Sequence, residues 1–228
     1  MEIYGKGIKI PDVDYKLIVN SNVKTSHHLW INEDPLKKSF ESINSQLLHE
    51  LYERFPERTV FSIYGMNEVY VSNNDQNTKS NSDEVFITTH IDGPFFFFPG
   101  VNVYRFILAL NENQHISTII EGDNPRRYTL STGEYLGFDF NRTPHRIEVN
   151  TTANVGSVRV VLKLHYCVTS IYWYGFFVSI LTMCYDRIAR VLFLYTLNPE
   201  TFSQRFISNI IIRVTRFWVS LINIFFLL

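Results

Sequence analysis

Between residues 37 and 55 the apolar positions recur with a helical period, and from residue 59 the period changes to two. Phe40, Ile43, Leu47, Leu48, Leu51, Tyr52 and Phe55 return at three- and four-residue steps with charges between them, so residues 37–55 are expected to form an amphipathic helix. Pro56 is its stop signal. Residues 60–64 and 68–71 then read as strands, and 72–83 as a polar loop rich in Asn and Ser. A series of short strands follows at 84–91, 101–110, 116–121, 127–130, 135–140, 146–150 and 157–166. Turn chemistry separates them: Gly93-Pro94, Asn111-Glu112-Asn113, Gly122 to Pro125, Thr132-Gly133, Pro144 and Gly156. Many short, evenly spaced strands predict a mainly β domain, an antiparallel sandwich or jelly roll with the N-terminal helix as support.

After His165 the pattern changes again. Residues 166–185 carry no formal charge and are rich in Phe, Tyr, Ile and Val, about the length that crosses a hydrocarbon core of roughly 30 Å. Residues 206–228 are also apolar but contain Arg213 and Arg216, and arginine is costly at a bilayer centre. The second stretch is therefore expected to lie in the interface or to form part of a shallow hairpin. The domains are drawn as 1–165, the jelly roll, and 166–228, a C-terminal tail of apolar helices associated with a membrane, with His165 at the boundary. The alternative is that both stretches are buried helices closing the jelly roll.

Formal net charge is -1 over 228 residues, which offers no case for nucleic-acid binding. The charge is uneven: residues 166–228 hold Arg187, Arg190, Arg205, Arg213 and Arg216 against Asp186 and Glu200, a basic, apolar composition suited to an anionic lipid surface. The cysteines, Cys167 and Cys184, both fall in that tail, so neither a disulfide framework nor a thiolate zinc site is expected. Residues 1–20 lack a continuous apolar run of the secretory type, which favours a cytosolic catalytic domain. The sequons at Asn141 and Asn150 are of a kind that arises often by chance.

The candidate chemistry begins at Thr88-Thr89-His90-Ile91-Asp92-Gly93. Side chains two apart share a strand face, so His90 and Asp92 can reach one ion, and His145 on a later strand can complete the set. Two imidazoles and one carboxylate form the facial triad that holds non-haem Fe(II) with open coordination positions. A lone His-x-Asp is a weak signal. Its weight here comes from order: strand, pair, intervening strands, histidine, then Arg159 on the closing strand. With period two, Arg159, Val161 and Lys163 share one face of that strand, and Val160, Leu162 and Leu164 the other. An inward arginine needs a partner, which a dicarboxylate on the metal would supply through the planar guanidinium fork; the alternative is a solvated face.

This order, His-x-Asp, distal His and strand-borne Arg, resembles that of the Fe(II)- and 2-oxoglutarate-dependent oxygenases. Within them, Tyr104-Arg105-Phe106-Ile107-Leu108 and the run from Gly133 through Phe138-Asp139-Phe140-Asn141-Arg142-Thr143-Pro144-His145 to Asn150 are similar to the aspartyl/asparaginyl β-hydroxylase branch. The likeness covers about residues 85–166. It departs from that branch in having the carboxylate Asp92, and Ile107 where a polar residue is expected. The resemblance implies a double-stranded β-helix, Fe(II) on His90, Asp92 and His145, and 2-oxoglutarate bound by Arg159, with Arg105 a second candidate for that co-substrate. It also implies hydroxylation of an unactivated C–H bond. The branch suggests a protein side chain as substrate, and the tail suggests a lipid or membrane-bound one.

A membrane-tethered, non-catalytic jelly-roll binding module is the competing reading, and a cupin-like metalloenzyme without 2-oxoglutarate a third. Among the remaining residues, Asp139 is expected to brace the distal histidine loop, and Phe95 to Phe98 either to line a substrate mouth or lipid contact or to plug the barrel end. His27, His28 and His115 are expected in loops or turns.

Overall fold

The computed structural model describes residues 2–10, 27–30, 36–73, 88–112, 116–149, 158–196 and 201–226. Most of the loop expected at 72–83, most of the strand expected at 84–91, His115 and Asn150 lie outside them.

Two antiparallel sheets form a jelly-roll-like body. The larger contains β1 (Ile3–Gly5), β2 (His27–Trp30), β3 (Thr59–Ser62), β4 (Glu68–Asn73), β5 (Val101–Ala109), β8 (Tyr135–Asp139) and β10 (Val158–Thr169), in the order β1-β8-β5-β10-β4-β2 with β3 also paired to β10. The smaller contains β6 (Ile116–Ile120), β7 (Arg126–Tyr128) and β9 (His145–Val149), in the order β7-β6-β9. The turn before β8 uses Gly133 at φ +81°, a conformation that disfavours any Cβ, and its N–H bonds to the Ala109 carbonyl.

Strand parity sorts the core. On β10, Val160, Leu162, Leu164, Tyr166 and Val168 face outward from the barrel with Tyr104, Phe106 and Leu108 of β5. There they meet α1 (Leu36–Arg54), which buries Phe40, Ile43, Leu47 and Leu51. These four recur at steps of three and four, and the helix stops just before Phe55-Pro56 because the residue preceding proline is pushed out of the helical region. The other faces of β10 and β5 point between the sheets, where Val161, Ile107 and Ala109 pack with Ile120, Leu136 and Phe138.

The C-terminal segment differs from expectation. β10 runs through the boundary drawn at 165/166, because a strand covered on both faces is as apolar as a membrane segment. His165, expected at an interface, is fully buried within this strand. The helices are α2 (Tyr172–Thr196) and α3 (Phe202–Phe226). Among the described residues no helix is long and apolar enough to cross a membrane, which corrects the span expected at 166–185. That uncharged run is the end of a strand plus the first turns of a helix whose next turns carry Asp186, Arg187 and Arg190.

α2 docks closely on the barrel. A Cβ on Gly175 would lie 2.5 Å from Thr169 Cγ2, so glycine permits the approach. Val178, Tyr174 and Met183 pack there against Met66, Val103, Phe140 and Cys167.

Candidate metal centre

His90 and His145 face each other across an isolated antiparallel bridge in which each backbone N–H donates to the other's carbonyl at 2.9 Å. Residues paired in this way put their side chains on the same side, and the two rings sit 4.4 Å apart. Each ring is turned by a bond to its own chain: His90 Nδ1 lies 2.9 Å from the Thr88 carbonyl and His145 Nδ1 3.0 Å from that of Thr143. A carbonyl can only accept, so both protons sit on Nδ1 and both Nε2 lone pairs point into the barrel.

Asp92 closes the set. Its Oδ1 is 3.9 Å from His90 Nε2 and its Oδ2 3.5 Å from His145 Nε2. One ligand atom from each of His90, Asp92 and His145 falls within 4.8 Å of the others, too far for mutual hydrogen bonds and close enough to share one ion.

The protonation states suit a metal. Burial lowers the pKa of both imidazoles, partly opposed by Asp92, and brings His145 to about 4. Burial alone would raise Asp92, but the Arg105 guanidinium and then the two imidazoles hold it far below the usual carboxylate range. At neutral pH the cluster is two neutral imidazoles and one carboxylate, the state in which these groups ligate.

Arg105 is fully committed. Its Nη1 is 2.7 Å from Asp92 Oδ2, Nη2 donates to Asp186 Oδ1 at 3.2 Å, Nε donates to His165 Nε2 at 2.9 Å, and the Phe140 ring lies 4.5 Å from Cζ. Arg105, expected as a second arginine for 2-oxoglutarate, thus has a protein partner at each of its three nitrogens, and its charge lies against Asp92. Behind it the ionic network continues: Asp186 is 3.9 Å from Arg190, Arg190 is 2.7 Å from Glu68, and Glu68 is 3.0 Å from Lys163 Nζ.

Arg159 stands apart from this network. It lines the same cavity as the triad, on the face of β10 that also carries Val161 and Lys163, and is buried. Its Nε has no hydrogen-bond partner, and among the described residues no carboxylate ion-pairs with it. Burial pulls its pKa down to about 10. A buried cation without a counter-charge is costly, and an anionic ligand in the cavity would relieve the cost. Lys163 is pushed down to about 8 by burial, partly opposed by Glu68, and rests 4.5 Å over the Tyr70 ring, so it is already paired.

The loop before His145 is braced by Asp139. Its Oδ1 accepts from the Asn141 backbone N–H at 2.9 Å, and its Oδ2 from Asn102 at 2.7 Å and Arg142 at 3.0 Å. Arg142 in turn donates to the carbonyls of Phe96, Phe98 and Val101, gathering the aromatic loop beside the centre. Asn141 is buried and its Oδ1 accepts from the Phe95 N–H, so this sequon offers no surface for a glycan. Phe95, Phe96 and Phe98 pack on Tyr185, Trp218 and Tyr174 of the C-terminal helices, while Phe97 is 57% exposed.

Glu68, Asp186 and Arg190 escaped sequence reasoning. The available signal was an acid and a base four residues apart in a helix whose one other charge is Arg187, a spacing that puts Asp186 and Arg190 on one face.

No family model and no curated protein sequence matches the chain. Among solved structures, the fold is similar to that of a prolyl 4-hydroxylase from Phytophthora capsici, with TM-score 0.47 and 13% identity over 91% of this chain and 75% of that one. It is similar to an oxidoreductase of the 2OG-Fe(II) oxygenase family from Burkholderia pseudomallei, with TM-score 0.48 and 11% identity over 72% and 83%. A prolyl hydroxylase from Trichoplax adhaerens, in complex with a peptide fragment of the hypoxia inducible factor oxygen degradation domain, gives 0.41 and 14% over 72% and 70%. At these values function has to be argued from the chain's own side chains.

Proposed function

We propose that the protein is an Fe(II)- and 2-oxoglutarate-dependent dioxygenase that hydroxylates an unactivated C–H bond of a protein side chain. One observation carries the reading: His90, Asp92 and His145 converge in a cavity that also holds the buried, uncompensated Arg159. A metal alone would account for the triad. It would leave Arg159 unexplained, whereas a metal-bound dicarboxylate accounts for both.

The donor set fits Fe(II), and the orphaned guanidinium fits the distal carboxylate of 2-oxoglutarate. A ferrous ion held there would supply the oxidative decarboxylation of 2-oxoglutarate to succinate and CO2, one atom of dioxygen entering succinate and the other the substrate as hydroxyl. The chain's residues position these partners. His90 and His145 present Nε2 because Thr88 and Thr143 hold Nδ1. Asp92 is kept ionised and turned by Arg105. Arg159 receives the far end of the co-substrate, and Ile107, Phe138, Ile147 and Val161 keep water from the remaining wall.

An aspartyl or asparaginyl side chain is our first candidate substrate, on the resemblance around Arg105 and residues 133–150. A double-stranded β-helix connection and a place at the cytosolic face of a membrane belong to the same reading. Membrane association would rest on the outward faces of α2 and α3 rather than on a span.

The test is anaerobic addition of Fe(II) and then 2-oxoglutarate to the metal-free full chain. The enzyme gives a weak visible charge-transfer band that requires both. A non-catalytic binding module gives none, and a metalloenzyme indifferent to 2-oxoglutarate binds iron without the band.

A further inference from the structure

An ordinary surface helix turns its apolar stripe to the core and its charges to water. The barrel face of α2 mixes the two: beside Tyr174, Val178 and Met183 it carries Gly175, Ser179, Thr182, Asp186 and Arg190, the last five all buried. The opposite face carries Trp173, Phe177, Ile180, Cys184, Ile188 and Val191, all exposed and recurring at steps of three and four. Trp173 is 75% exposed. The inward polarity is explained by the ionic links of Asp186 and Arg190 to Arg105 and Glu68. Nothing in those links calls for an apolar exterior, so the exterior has its own cause.

α3 repeats the feature. Phe202, Phe206, Ile210, Val214 and Phe217 form one exposed stripe, with Phe202 86% exposed. Arg213 and Arg216 are exposed along its flank. Neither helix exposes an acid: Asp186 is the sole acidic residue of residues 172–196 and is buried, and residues 202–226 contain none. So many large apolar side chains exposed on two helices in contact are unusual on a soluble monomer.

We infer that the outward faces of α2 and α3 dock in the plane of an anionic phospholipid bilayer. The apolar stripes enter the boundary between headgroups and acyl chains, and Arg213 and Arg216 pair with the lipid phosphates and carboxylates. A helix with one apolar side and flanking arginines is the type that lies in an interface, and among the described residues neither helix can cross. A second copy of the chain is a poorer occupant. A two-fold contact through this patch would set arginine against arginine, with no acid exposed on either α2 or α3 to pair with them. This inference deepens the membrane placement proposed above and stands without the enzymatic reading.

The full chain is incubated with vesicles of phosphatidylcholine alone or with phosphatidylserine added, and sedimented at low and high salt. The expected result is at least ten-fold tighter binding to the anionic vesicles, weakened by salt. A ten-fold loss is expected with Arg213→Glu/Arg216→Glu, and loss on both vesicle types with Phe206→Glu/Phe217→Glu. Circular dichroism confirms that each variant is folded. As a measurement on the unmutated surface, lipids brominated at graded depths should quench Trp173 most strongly from shallow positions, with Trp173→Phe identifying its contribution. Failure to bind either vesicle, with a discrete dimer in solution, would overturn the proposal in favour of a contact between copies. Equal binding to both lipids without effect of the arginine changes would also overturn it.

Discussion

Arg159 and Arg105 are both buried arginines pointing between the same two sheets, and their environments assign them opposite work. Arg105 has an acid or imidazole for each nitrogen, and Arg159 Nε has nothing. Substituting Arg159 by Ala should raise the 2-oxoglutarate requirement about 10–100-fold, the worth of a charge-assisted bond of roughly 1.5–3 kcal/mol, while leaving Fe(II) affinity nearly unchanged. Titration of the two ligands separately checks this. His145 gives a pH dependence of known sign. Its folded pKa, about 4, lies below the unfolded value of about 6.5, so between these limits the unfolded chain binds more protons. The metal-free protein should therefore lose stability as pH falls from about 6.5 to 4, by at most on the order of 3 kcal/mol from this group. Urea denaturation across that range checks it, and His145→Gln should flatten the slope.

At the scale of elements, α2 acts as part of the candidate metal centre. Asp186 holds the Nη2 of the guanidinium whose Nη1 touches Asp92, so the helix helps set the position of the ligand carboxylate. Asp186→Asn should weaken Fe(II) binding about ten-fold, within the usual 10–100-fold for groups behind a ligand, since Arg105 is then free to draw Asp92 from the ion. Calorimetric titration with Fe(II) or Co(II) reads this directly, and unchanged affinity would show that the helix only packs.

The elements were unequally legible. α1 was readable because its buried positions keep one helical period, and the parity of Arg159, Val161 and Lys163 because β10 is regular. His90 and Asp92 could be paired because two-residue spacing is local. The commitment of Arg105 could not be read, since its partners lie 81 residues away at Asp186 and 60 away at His165. The end of β10 and the start of α2 were misread because burial on both faces and burial in lipid select the same residues.

Across the whole molecule, one chain of charges joins the ligand Asp92 to the C-terminal helix and returns to the barrel at Glu68 and Lys163. Asp92, Asp186 and Glu68 balance Arg105, Arg190 and Lys163, which leaves Arg159 as the additional positive charge of the cavity. The same helix that completes this network turns an apolar side outward, so the charge network and the surface proposed to meet lipid lie on opposite faces of one element. The most direct measurement of the central claim is an anaerobic Fe(II) titration of the metal-free chain beside its His145→Ala variant, followed by 2-oxoglutarate. One tightly bound ferrous ion per chain, a visible band on adding the co-substrate, and loss of both in the variant are predicted. Equal iron content in the two proteins would contradict the account.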